Sequence, residues 1–117
     1  MAEKFTIYHN PRCRKSRETL ALLDEKGINP EVVRYLDNPP SSEDLKLLLA
    51  KLDLPVQAIV RKEEKAYKEK YKNADFTDDE WMRILSEEPK LIQRPIVVKG
   101  ASAVLGRPPE NVLKLIK

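Results

Sequence analysis

The sequence predicts an α/β domain built on a mixed sheet. Three observations carry that prediction. Short β-branched runs stand near both ends of the chain, leucine-rich stretches with helical spacing fill the middle, and the elements read β-α-β, a helical block, then β-β-α. The 117 residues fit one domain over 1–117, with the helical block at about 41–90. Size scaling gives a folded surface of roughly 6,500 Å² against about 19,600 Å² unfolded, enough burial for a core without disulfide or metal staples.

Lys4 to Tyr8 reads as the first strand, with Phe5 and Ile7 on one face. His9-Asn10-Pro11 breaks it. Arg14 to Lys26 reads as a helix with Leu20 and Leu23 on one side and Gly27 as its stop signal. Glu31 to Tyr35 is rich in β-branched residues and reads as a second strand. After the Asp37-Asn38-Pro39-Pro40 turn, Ser41 offers an N-cap with Asp44 three residues on. Leu45, Leu48, Leu49 and Leu52 then follow at i, i+3, i+4 and i+7, the stripe of an amphipathic helix. Pro55 to Tyr71 reads as one or two shorter helices. Thr77-Asp78-Asp79-Glu80 is a second capping box, ahead of Trp81, Ile84 and Leu85 on one face, and Pro89 ends that helix. Ile96 to Lys99 is a third strand, Gly100 a turn, and Ala101 to Leu105 a fourth strand that closes a hairpin. Pro108-Pro109 opens a final helix carrying Val112, Leu113 and Ile116.

The net charge of +3 is local. Arg61 to Lys72 holds six cations and three anions, while the rest of the chain carries 16 of each sign. Opposite charges at helical spacing make this a solvated helix face, and no DNA or RNA motif accompanies it, so no nucleic-acid partner is expected. No apolar run approaches the ~18 residues of a membrane-spanning helix. Met1-Ala2-Glu3-Lys4-Phe5 does not read as a signal peptide, because charges stand where an apolar stretch is needed. The expected compartment is the cytoplasm. One cysteine excludes an internal disulfide, and Cys13 and His9 alone cannot make a structural zinc site, so no metal is expected.

Cys13 follows a strand and a proline turn and stands where a helix begins. The first amides of a helix are unpaired and carry partial positive charge. A thiolate there is stabilised, and Arg12, Arg14, Lys15 and Arg17 surround it. The same amides and arginines attract oxyanions. A nucleophile inside an anion site suggests thiolate attack on an oxyanion substrate. The plainer reading, a lone cysteine as a small buried hydrophobe, fits this cationic, helix-opening position less well. His9 reads either as a catalytic partner or as a hydrogen-bonded loop residue. Arg94-Pro95 enters the third strand and Arg107-Pro108 the last helix; a proline entering a strand is a candidate cis peptide that turns the preceding arginine toward a ligand.

The segment Ile7-Tyr8-His9-Asn10-Pro11-Arg12-Cys13-Arg14-Lys15-Ser16-Arg17 resembles the active-site loop of the glutaredoxin-dependent arsenate reductase family. The resemblance continues with Arg61, with Gln93-Arg94-Pro95-Ile96-Val97-Val98 and with Gly106-Arg107-Pro108, in order and over essentially the whole chain. It implies a thioredoxin-like fold with a helical insertion and a cis proline at Pro95. It implies Cys13 as nucleophile, His9 as the loop histidine that favours the thiolate, and Arg61, Arg94 and Arg107 as the arginines that hold arsenate. Arg14, Ser16, Arg17 and Pro95 would support the site. No tightly bound cofactor is implied. Glutathione would be co-substrate and glutaredoxin the partner that resolves the mixed disulfide, in keeping with a chain whose only cysteine is Cys13; a monomer is expected.

Two other readings share these residues. One is a glutathione- or glutaredoxin-linked thiol oxidoreductase without arsenate activity. The other is a Spx-like regulator that binds RNA polymerase; its Cys-x-x-Cys switch is missing, because the third residue after Cys13 is Ser16. A C-x5-R phosphatase loop would need arginine where Thr19 stands.

Overall fold

The computed structural model describes residues 4–116. The first three residues of the Met1–Phe5 stretch and Lys117 at the end of the last predicted helix lie outside the described residues. The chain divides into two compact units: one holds everything up to Asn38 and everything from Arg94 on, the other is Pro39–Gln93.

The first unit is a four-stranded sheet with helices. Strands β1 (Phe5–Tyr8), β2 (Glu31–Val33), β3 (Ile96–Lys99) and β4 (Ser102–Leu105) lie in the order β2-β1-β3-β4. β1 pairs parallel with β2 and antiparallel with β3, and β3 pairs antiparallel with β4. The sheet is mixed, as the element order predicts, and the arrangement is thioredoxin-like. Ile7, Leu23, Val97, Val112 and Leu115 form its core, with Phe5, Leu20 and Ile28 packed against them.

Helix α1 runs over Arg14–Glu25. Gly27 ends it at φ +76, a conformation costly for any residue with a Cβ. Its N–H donates to the Asp24 carbonyl at 3.0 Å and the Ile28 N–H to that of Leu23 at 2.9 Å, the paired bonds of a Schellman stop.

Three predicted elements need correction. β2 ends at Val33, not Tyr35, because Arg34 opens a turn whose carbonyl accepts the N–H groups of Asp37 and Asn38, both at 2.9 Å. Tyr35 is buried in that turn. β4 begins at Ser102, because Ala101 completes a two-residue turn with Gly100, whose φ is +58. The predicted last helix is a 3₁₀ turn, Pro109–Val112, followed by the short helix α5 (Leu113–Ile116). A 3₁₀ turn advances three residues per turn, so Pro109, Val112 and Leu115 are buried, while Leu113, one of the three apolar residues read on the final helix, is exposed.

The second unit is helical. α2 (Ser42–Leu52) carries the full capping box of Ser41 and Asp44, and Leu45, Leu48, Leu49 and Leu52 are all buried. It packs on α4 (Asp78–Glu87), which has the second box, from Thr77 and Glu80, and buries Trp81, Met82 and Leu85. Between them, the predicted short helices are a 3₁₀ turn, Val56–Ile59, and α3 (Lys65–Lys70). Tyr67, Tyr71 and Phe76 cluster around Trp81. The basic segment is laced with ion pairs, Lys65 with Glu69 at 3.7 Å and Lys70 with Glu88 at 3.5 Å. Among the described residues no helix is long and apolar enough to cross a membrane.

Candidate active site

Cys13 is the N-cap of α1, in extended conformation at φ −90 and ψ 125. Its N–H donates to the Asn10 carbonyl at 2.9 Å, and its carbonyl accepts the Arg17 N–H at 3.0 Å. The thiol is free and buried, and it makes no capping bond to the helix. Helix geometry leaves the amides of Arg14, Lys15 and Ser16 without acceptors inside the helix, and they open the site's first turn.

Short-range bonds hold the loop in shape. The Asn10 N–H donates to the Ser16 hydroxyl at 3.4 Å, and the Arg12 N–H to the Asn10 side-chain carbonyl at 3.0 Å. The Arg17 guanidinium donates to the Pro11 carbonyl at 3.1 Å. Ser16 and Asn10 are buried, so their polar atoms are used inside the loop. Arg14 points to solvent, 3.9 Å from Glu18.

Strand register brings a second segment to this end of the sheet. Tyr8 at the end of β1 stands opposite Ile96 at the start of β3. The peptide Arg94–Pro95, just before Ile96, is cis, and so is Arg107–Pro108, for which the sequence held no strand-entry signal. The Gly106 N–H donates to the Pro95 carbonyl at 2.9 Å, and the Arg107 guanidinium to the Arg94 carbonyl at 3.1 Å. Arg94 Nε is buried without a hydrogen-bond partner. Thr19, on α1, locks this segment to the helix: its hydroxyl donates to the Lys15 carbonyl at 2.8 Å and lies 3.3 Å from that of Gly106. A Cβ at Gly106 would sit 2.7 Å from Thr19 Oγ1 and 2.8 Å from Pro95 Cγ.

His9 is buried, its N–H donating to the Val33 carbonyl at 2.8 Å, and its Nδ1 has no partner. Burial first, then the positive charges of Arg34 and Arg17, push its ring below the ordinary histidine range. The imidazole is therefore neutral at pH 7, and the loop's positive potential comes from arginines and helix amides. Arg61 belongs to the second unit. There its Nε lies 3.3 Å from Glu63 and a terminal nitrogen 3.2 Å from Glu64.

The structure thus gathers Cys13, Ser16, Arg17, Arg94, Pro95 and Arg107 at one end of one sheet. Sequence reasoning missed the parts of Thr19 and Arg34, and quoted Asn10 and Gly106 only as members of motifs, without a role. Gly106 had a signal: of three glycines it alone stands outside a predicted helix stop or hairpin turn.

The ArsC family model matches residues 8–115. An arsenate reductase from Haemophilus influenzae is 44% identical over 112 residues, covering 94% of this chain and 97% of that protein. The Escherichia coli K12 protein YfgD, described as uncharacterized, is 42% identical over 118 residues and covers 99% of both chains. The solved structure of an arsenate reductase from Vibrio cholerae superposes with a TM-score of 0.92 at 49% identity, covering 97% of this chain and 98% of that one.

Proposed function

Because this chain belongs to the ArsC family, we propose that it is an arsenate reductase that uses Cys13 as its nucleophile and glutathione with glutaredoxin as its source of electrons. The observation that carries the reading is the position of Cys13. It stands at the N-terminus of a helix with open first-turn amides, at the end of the sheet where the Arg107 guanidinium donates to the Arg94 carbonyl. Relatives of near-full coverage that are named arsenate reductases support the substrate.

The steps balance with one protein thiol and one external thiol. The Cys13 thiol and dihydrogen arsenate form a Cys–S–As(V) adduct and release water. Glutathione attacks the Cys13 sulfur; the S–As bond breaks, arsenic keeps the electron pair as As(III), and arsenite leaves with the thiol proton. Cys13 is then a mixed disulfide with glutathione, and a glutaredoxin thiol takes the glutathionyl group and returns the thiolate. The open amides, Arg94 and Arg107 would neutralise the oxyanion and the charge that develops on it. Arg61, in the second unit, is assigned a substrate-binding role on family resemblance alone. Neutral His9 would shape the loop and orient it rather than supply charge.

The test is arsenate-dependent NADPH oxidation with glutathione, glutathione reductase and glutaredoxin. Wild type should turn over and Cys13→Ser should not. Absence of arsenate turnover in the wild type would sink the proposal and leave a thiol oxidoreductase without arsenate activity.

A further inference from the structure

A recess of about 270 Å³ adjoins the Cys13 loop, lined among others by His9, Arg12, Arg34, Leu36 and Asp37. We propose that it binds the γ-glutamyl head of glutathione and so presents the co-substrate thiol beside Cys13. The inference rests on the reductase reading for its need of an external thiol, and on the recess for everything else.

The recess offers two guanidiniums and one carboxylate. That is not the set for a bare oxyanion, which would satisfy the arginines and be repelled by Asp37. It suits an α-amino acid head, whose carboxylate takes the guanidinium forks and whose ammonium takes the Asp37 carboxylate. Arg34 and Asp37 are only loosely engaged with each other. Arg34 Nε and Asp37 Oδ2 are 3.9 Å apart, and the side chains are 60% and 71% exposed, so both have hydrogen-bonding capacity to spare. Leu36 is 42% exposed and gives the two methylenes of a glutamyl chain an apolar wall.

Size and position agree. A volume of 270 Å³ falls just below the roughly 300–1,000 Å³ of pockets that enclose a whole small ligand, as fits a subsite for one end of a tripeptide. Arg12 is the residue before Cys13, and Asn10, also on the wall, accepts the Cys13 N–H. An extended tripeptide reaches about 10 Å, so a head held at Arg12 and Arg34 keeps its thiol within range of the loop.

The experiment is a titration of the ¹⁵N-labelled protein with S-methylglutathione, which binds without reacting, and separately with inorganic phosphate. S-methylglutathione should shift the amides of Arg12, Arg34 and Asp37. Arg34→Ala should weaken it at least fivefold, and Asp37→Asn at least twofold while phosphate binding holds or tightens. Both side chains are exposed, and unchanged spectra elsewhere will show that the variants fold. Equal affinity in Arg34→Ala, or parallel loss of phosphate and S-methylglutathione in Asp37→Asn, overturns the assignment. If S-methylglutathione titrates the recess while wild type reduces no arsenate, the reductase reading fails and the recess stands. If arsenate is reduced and Arg34→Ala keeps the wild-type KM for glutathione, the recess fails and the reductase reading stands.

Discussion

Gly106→Ala tests how tightly the site's two segments are joined. Gly106 has no need of unusual backbone angles; it is required for space. The new methyl would sit 2.7 Å from Thr19 Oγ1 and 2.8 Å from Pro95 Cγ, both inside contact distance. Thr19 has little room to give, since it is fully buried and its hydroxyl is bonded to the Lys15 carbonyl at 2.8 Å. Overpacking of this kind costs about 1–3 kcal/mol. Losing the Thr19 hydrogen bond adds about 1 kcal/mol. A total of about 2–4 kcal/mol, at a urea slope of ~2 kcal/mol/M, lowers the unfolding midpoint by about 1–2 M. Activity should suffer as well, because Thr19 and Cys13 share α1 and the push moves helix against strand. We expect kcat/KM to fall about tenfold, given that ~1 Å of misplacement can cost about 100-fold. Thr19→Ala in the same background should recover part of the midpoint by removing one of the two obstructions. A Gly106→Ala protein whose midpoint lies within about 0.2 M of wild type would refute the packing argument.

His9 is the only histidine, so its ring proton can be followed alone by NMR. Its midpoint should lie below 6.5 and move upward in Arg34→Ala, which removes the larger of its two charge repulsions; no movement would contradict the cause assigned. Because the unfolded ring protonates near 6.5 and the folded ring resists, His9 costs nothing above that pH. Stability is lost as pH falls from 6.5 toward the folded value, and His9→Asn should flatten that slope in urea midpoints. In the helical unit, Thr77→Ala removes the cap of α4 and should destabilise by about 1 kcal/mol in thermal or urea unfolding. Hydrogen bonds from the Thr77 backbone and hydroxyl hold Glu80 below its ordinary 4.5, so the cost of Glu80→Gln should be full above that pH and shrink as pH falls through the folded value.

Local rules were legible wherever one residue type suffices to enforce them. The two capping boxes rest on side chains that bond their own backbone three residues away, the Gly27 stop on backbone freedom, and the leucine stripe of α2 on helical spacing; the proline turn before Cys13 marks a helix start. What escaped was long-range or depended on phase. The turn at Arg34 overrode the β-branched run because its carbonyl is shared by two amides. The 3₁₀ turn after Pro108 left Leu113 exposed and buried Leu115, which the sequence reading does not single out. The Thr19–Gly106–Pro95 lock joins residues 87 positions apart, beyond any local pattern. Of the candidate site, the loop and the two Arg-Pro peptides could be picked out from their residues, whereas the recess at Arg34 exists only because β2 lies beside β1.

That edge position of β2 has a consequence for self-association. A sheet edge presents unpaired amides and carbonyls to which another chain can add a strand. β2 offers only three residues, is preceded by Pro30, and carries Glu31 paired to Lys4 at 3.1 Å. An incoming strand would gain a few hydrogen bonds at most and would meet charge at the first of them. At this edge, exposed Val32 therefore offers an added strand little beyond its own side chain.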